Sequence, residues 1–389
     1  MRVVVVSAWE PWRASDAAAT VLDHQLRLLA ARHDITLLAA GASVAVAMPP
    51  VAEEHRLPGV AVQWFGRRSP RLLDYLGRRA WSVRAGEPGH FRFVARPLLV
   101  DALRRIAPSA DVVHLHGWGT AGLWQAAEGR PTVHTAVDSW SLNLANRRLG
   151  PIRRFAEADQ RRLVAAHERR NYPRLGAVVV VAERDAAAVR ELAPDSRVEV
   201  VPNGVDPGPE PAPGPSRPVL GFHGVFDSQA NVDAARNLVE HVLPRVRQFV
   251  PDVQVRIVGR RPPRAVRSLA GQGIDVRADV PDIRAELAAM TVHVDWLTSG
   301  SGIKNKVLEA MAAARPVVAS PLAAEGIGAG PGLVVAGSVE AAADAICGIV
   351  RDPAAADATG RAGRGRVVSE FSWSANAARI EKLWAELAG

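Results

Sequence analysis

Lysine is scarce in this chain, and its placement is informative. Residues 299–321 read SGSGIKNKVLEAMAAARPVVASP and carry Lys304 and Lys306; the one other lysine is Lys382. Small and glycine residues (Ser299, Gly300, Ser301, Gly302) open the stretch, and an apolar run at helical spacing follows through Val307, Leu308, Met311 and Ala312. Arg315-Pro316 closes the predicted helix, because proline disfavours α geometry in the residue before it. An apolar strand is expected over 317–320. A glycine-rich turn entering a helix offers unpaired backbone N–H groups and the positive end of the helix dipole, which suits an anion. Lysines in that first turn oppose the dipole and need a counter-charge. A bound diphosphate would supply it. Glu309, one turn further on, is spaced to accept hydrogen bonds from a ribose diol. The competing reading is an ordinary strand–loop–helix unit with solvated lysines.

The rest of the chain sets the context for that site. Its 389 residues suggest two domains, and 48% apolar with 23% charged residues is a globular composition. No apolar run is long enough to cross a bilayer. The opening MRVVVVSAWE reads as a first strand rather than a signal peptide. A lone cysteine, Cys347, excludes an intrachain disulfide and gives no metal cluster, so no metal is expected and cytoplasmic residence is the default. The net charge of +8 is spread along the chain without a zinc or helix-turn-helix pattern, so nucleic acid is not an expected partner. Arg67, Arg68, Arg71, Arg78, Arg79 and Arg84, with an Arg-rich segment over 153–174, leave peripheral contact with an anionic inner-membrane surface as an alternative to a solvated basic face.

Strands and helices alternate throughout, which predicts α/β architecture with parallel sheets. Strands are expected over 2–6, 34–40, 60–65, 111–116, 131–136, 177–181 and 197–201, with helices over 18–32, 91–106 and 152–172. The run PNGVDPGPEPAPGPSRP at 202–218 is too rich in proline and glycine for helix or sheet and reads as a linker. Beyond it, strands are expected over 219–222, 253–258 and 291–297. Helices are expected over 231–250, 281–290, 341–349, 353–370 and 373–388. Trp9, Trp12, Trp118 and Trp140 all fall just past strand ends of the first half, where aromatic faces suit a sugar or another flat acceptor. His114 and His116 alternate on one strand and share a face, with His116 nearer the strand end; His134 reads as a packed core histidine. No glycosidase-like carboxylate pair, G-x-S-x-G elbow or zinc site is recognisable, which favours a transferase acting by positioning and charge stabilisation.

The segment GIKNKVLEAMAAARPVVAS resembles the donor-binding segment of the family-4 retaining glycosyltransferases, with Ser301 standing where that pattern has its first acidic residue and Glu309 at the second. VVPNGVD at 200–206 and GFHGVFDSQANVDAARNLVEHVLPRVR at 221–247 are similar to the same family's interdomain segment and donor-domain start. The resemblance implies the GT-B fold, two Rossmann-like domains facing across a cleft. It divides the chain into an acceptor-binding domain over 1–203, a linker over 204–217, a donor domain over 218–370 and a C-terminal helix over 371–389 crossing back to the first domain. It implies sugar transfer from a nucleoside diphosphate sugar (a UDP- or GDP-sugar) to a small-molecule or lipid-linked acceptor hydroxyl, with retention and without a metal. Alternatives are a nucleotide-sugar-binding partner subunit without activity, and a nucleotide-sugar epimerase of the same fold. On this resemblance the donor is held by Gly224, Arg260, Ser301, Gly302, Ile303, Lys304, Asn305 and Glu309, because the Arg and Lys that many members carry after Gly224 are replaced here by Phe226, Asp227 and Asn231. Lys306 then stabilises the leaving diphosphate. Asp138, in VHTAVDSWSLN, and His116 are expected to orient sugar or acceptor hydroxyls. Trp9, Trp12, Asp16, Trp118 and Trp140 are expected on the acceptor side, Asp16 doubling as a candidate helix cap.

Overall fold

The structure, a computed structural model, describes residues 1–9, 17–40, 57, 59–65, 82, 84–89, 91, 97–145, 151–210, 214–215, 217–299 and 303–389. Contacts divide it into two units, Met1–Pro202 together with Asn376–Gly389, and Asn203–Ala375.

The first unit is built on a parallel sheet of β1 (Arg2–Ser7), β2 (Asp34–Ala40), β3 (Val60–Phe65), β4 (Val112–His116), β5 (Thr132–Val137), β6 (Ala177–Val180) and β7 (Val198–Val200), in the order β3-β2-β1-β4-β5-β6-β7. Side chains alternate across a strand, so the valine run of β1 serves two cores at once. Val4 and Val6 join a cluster with Leu115 of β4 and with Leu103 and Val164, supplied by the helices Pro97–Ile106 and Pro151–Asn171. Val3 and Val5 join the opposite cluster with Leu22 and Leu26 of helix Ala17–Leu29 and with Ile380, Leu383 and Trp384 of helix Trp373–Ala388. Polar latches add to that apolar seam. Gln25 donates to Asn376 Oδ1 at 2.8 Å, Asn376 donates to the Pro202 carbonyl at 2.7 Å, and His33 pairs with Glu381 at 2.8 Å.

The second unit carries β8 (Val219–Val225), β9 (Gln254–Arg260), β10 (Ile274–Ala278), β11 (Val292–Asp295), β12 (Val317–Ala319) and β13 (Leu333–Val335), all parallel, in the order β10-β9-β8-β11-β12-β13. Its strand order reverses between β8 and β11, and a doubly wound sheet forms its ligand crevice at the C-terminal strand ends beside such a reversal.

Three details differ from the pattern read in the sequence. The helix expected over 231–250 is interrupted: Gln229–Asn237 is α, Leu238–Val242 is π and Leu243–Arg247 is α again. Pro244 explains the π turn, since its ring would strike the carbonyl four residues earlier and it has no N–H to donate. The second unit has edge strands β10 and β13 where none was expected, both only partly buried. A short helix, Trp140–Ala145, follows β5.

Candidate functional site

The C-terminal ends of β8 and β9 and the start of helix Asn305–Ala312 enclose a cavity of about 700 Å³. His223, Gly224 and Val225 come from β8, Arg260 from β9, and Ile303, Lys304, Asn305, Lys306 and Glu309 from the helix and its approach. The backbone comes close where the two strands meet. Gly224 and Gly259 are register partners, and a Cβ on Gly259 would stand 2.0 Å from the Gly224 carbonyl oxygen. A Cβ on Gly224 would press on the Asn231 amide at 3.0 Å.

Asn231 is the link to the lysine. Its amide donates to the Val225 carbonyl at 2.8 Å, and its Oδ1 accepts from Lys306 Nζ. The Lys306 ammonium also lies 3.6 Å from Asp295 Oδ2 at the end of β11, and 4.7 Å from the centre of the Phe222 ring. It therefore sits beside the Gly224 turn although it is supplied by a helix eighty residues later in the chain. Burial lowers the pKa of Lys306 against the pull of Asp295, and burial raises that of Asp295 against the pull of Lys306. Lys304 is buried at the helix start and adds its charge to the field on Asp295. Arg260 is exposed at the cavity rim, and Ile303 packs inward.

Glu309 faces the same cavity one turn along. Its Oε2 accepts from His223 Nε2 at 2.7 Å, and His223 Nδ1 lies 3.0 Å from Nε2 of the buried His293 on β11. Burial works against ionising Glu309, but the hydrogen bond from His223 and the charge of Lys306 outweigh it and leave its carboxyl below the ordinary value. His223, His293 and Asp295 were not singled out in the sequence. A signal for Asp295 was present, a lone acid closing the apolar strand in VHVDW.

In the first unit, β5 ends irregularly. Its register with β6 shifts between Thr135 and Val137, and Val137 has φ 70°, unusual for a β-branched residue. The half-buried Asp138 follows at once. Two buried carboxylates pin the next residues: Asp185 accepts from Ser139 N at 2.9 Å, and Glu168 accepts from Trp140 N at 3.0 Å and Ser141 N at 3.3 Å. Strain of this kind persists where the surroundings over-determine it, and it clusters at functional sites.

The aromatic residues depart from expectation. Trp118 and Trp140 stack on each other at 4.5 Å, Trp9 meets Trp118 edge-on at 5.5 Å, and Phe91 backs Trp140 at 5.1 Å. Trp140 is buried in the core, so it covers the sheet end rather than offering an open face; Trp9 and Trp118 stay partly exposed. His116 is a correction. It is fully buried, its Nε2 donates to the Ala18 carbonyl at 3.0 Å, and burial lowers its pKa to about 4 against that hydrogen bond. A ring so enclosed belongs to the core, as His134 does, where burial lowers the pKa to about 3. Trp12, Asp16, Ser301 and Gly302 lie outside the described residues, as do Arg67, Arg68, Arg71, Arg78 and Arg79. No helix among the described residues is long and apolar enough to cross a membrane.

Two parallel doubly wound halves, the second with a cation-lined crevice at its switch point, are the architecture of the GT-B fold. Comparison with known proteins narrows this. A profile described as Glycosyltransferase Family 4 matches residues 18–208, and one described as Glycosyl transferases group 1 matches residues 217–352. The chain is 33% identical to alpha-maltose-1-phosphate synthase of Mycolicibacterium smegmatis, over 69% of this chain and 77% of that one. It belongs to the family-4 glycosyltransferases. Among solved structures, sucrose-phosphate synthase from Thermosynechococcus elongatus superposes with a TM-score of 0.67 at 19% identity, covering 100% of this chain and 99% of that one. HepE from Anabaena, in complex with UDP, superposes with a TM-score of 0.64 at 15% identity, covering 99% of this chain and 100% of that one.

Proposed function

We propose that this glycosyltransferase takes its sugar from a nucleoside diphosphate sugar and transfers it to an acceptor hydroxyl with retention of configuration and no metal. The observation that carries the donor reading is the convergence of Lys306, Gly224 and Glu309 on one cavity at the switch point of the second sheet. Gly224 lets the diphosphate approach the backbone. Lys306, Lys304 and Arg260, with the N–H groups at the start of helix Asn305–Ala312, offset the charge that grows on the leaving diphosphate. Glu309 accepts hydrogen bonds from the ribose. HepE, of the same fold, was crystallised with UDP and with UDP-glucose, which supports a uridine or similar nucleotide here.

The acceptor oxygen bonds to the anomeric carbon on the face that the phosphate leaves, the anomeric carbon–phosphate oxygen bond breaks, and the acceptor proton passes to a departing phosphate oxygen. Asp138, fixed by the pinned turn after β5, is the group we assign to orient sugar or acceptor hydroxyls. Trp9 and Trp118 are assigned to the acceptor. Two similar proteins are named for sugar-phosphate products, so phosphorylated sugars head the acceptor candidates.

A thermal-shift panel of UDP-, GDP-, ADP- and TDP-sugars at high excess tests the reading, since a ligand of the folded state raises Tm by mass action. We expect a shift of several degrees with one donor and its loss in Lys306→Ala. No shift with any donor, or an equal shift in the variant, would reject the site.

A further inference from the structure

The carboxylate of Glu309 is not left to orient itself. Three side chains from three elements form one line: His293 on β11, His223 on β8 and Glu309 on helix Asn305–Ala312, with links of 3.0 Å and 2.7 Å. His293 is fully buried and His223 nearly so.

The proton positions follow from the chemistry of the groups. Glu309 is ionised, because the neighbouring His223 and Lys306 overcome its burial, and a carboxylate only accepts. His223 Nε2 must therefore carry a hydrogen and donate it. His223 Nδ1 faces His293 Nε2, so one of the two nitrogens donates and the other accepts. Burial, with the charge of Lys306, holds His293 neutral, with a single N–H. Among the described residues, His293 Nδ1 has no hydrogen-bond partner. Were the hydrogen on Nδ1, a buried donor would be left unsatisfied, the costlier of the two arrangements. The hydrogen thus sits on His293 Nε2 and is donated to His223 Nδ1.

We infer that His293 and His223 are positioning residues that fix the Glu309 carboxylate, with Oε2 committed to the protein and Oε1 left for the ligand, and so set the enzyme's preference for a ribose over a deoxyribose donor. The inference rests on the reading of Glu309 as the ribose-binding group. A rigid acceptor built to take hydroxyl hydrogen bonds rejects an analogue lacking them, because its own polar atom is then left unpaired. A carboxylate free to rotate would find another partner and discriminate less.

The test compares binding of UDP, GDP and ADP with that of their 2′,3′-dideoxy counterparts by calorimetry, in the wild-type protein and in Glu309→Gln, His293→Leu and His293→Gln. The glutamine amide keeps an N–H donor where His293 Nε2 stands, whereas leucine fills the space without one. Expected is a wild-type preference for the ribonucleotide of about ten-fold or more, as befits a hydrogen bond to a charged group. It should be lost in Glu309→Gln, reduced several-fold in His293→Leu and restored in His293→Gln. A preference lost in Glu309→Gln but intact in His293→Leu would overturn the relay alone. No preference in the wild-type protein would overturn the ribose reading of Glu309 and the relay with it, and no binding of any of the three would overturn the donor reading. Thermal melts of each variant separate lost folding from lost discrimination.

Discussion

Lys306 and Glu309 lie three residues apart on one helix, and that spacing alone puts them on one face. The helical half of the site was therefore readable from a contiguous stretch. Asp295, His223 and His293 were not, because they come from β8 and β11, with the two histidines 70 residues apart in sequence and neighbours only through the reversal of strand order. Apolar flanks made both strands legible as strands, but nothing local says which polar residue in them meets the helix. Asp295 has a measurable role at this scale. Its buried carboxylate holds up the pKa of Lys306, which burial pushes down. Replacing it by asparagine removes that support, so the ammonium should lose its proton at lower pH. Since the charged lysine is the form that binds phosphate, nucleoside diphosphate affinity measured against pH should fall off at lower pH on the alkaline side in Asp295→Asn than in the wild-type protein. An unchanged alkaline limb would show that Lys306 does not neutralise the phosphates.

Among the elements, the meeting of β8 and β9 is the most tightly constrained. Gly259 faces the Gly224 carbonyl and the Phe226 ring with no room for a methyl group. Gly259→Ala must push β8 aside and should cost about 1–3 kcal/mol through overpacking. Because Gly224 moves with it, nucleotide affinity should drop together with the melting temperature of the second unit; a variant that loses neither would show that the approach of the strands can relax. Sequence patterning read the central strands well, since β1, β2, β4 and β5 are rich in apolar residues and buried on both faces. It missed β10 (IDVRA), a partly exposed edge strand with two charged residues among its five, and β13 (LVV), apolar but only three residues long, and it ran a continuous helix through Pro244 where the chain takes a π turn. The left-handed Val137 was equally invisible, since a β-branched residue gives no hint of positive φ.

The whole molecule is two units, but not two consecutive lengths of chain. The final helix supplies Ala377, Ile380, Leu383 and Trp384 to the core of the first unit, and Trp384 is among the largest fully buried side chains. Trp384→Ala should cost about 3–5 kcal/mol. Calorimetric scans should show the transition of the first unit moving down while that of the second, whose core the residue does not enter, stays in place. Equal movement of both would mean that the units melt as one. The same arrangement bears on how the protein is made. A ribosome extrudes residues 1–202 first, yet the seam they must close waits for residues 376–389, whereas the uninterrupted stretch 203–375 has its whole core in hand earlier. The half of the enzyme made first is thus the half finished last, and through most of synthesis the apolar cluster of Val3, Val5, Leu22 and Leu26 lacks the cover that the final helix gives it and stays open to chaperones.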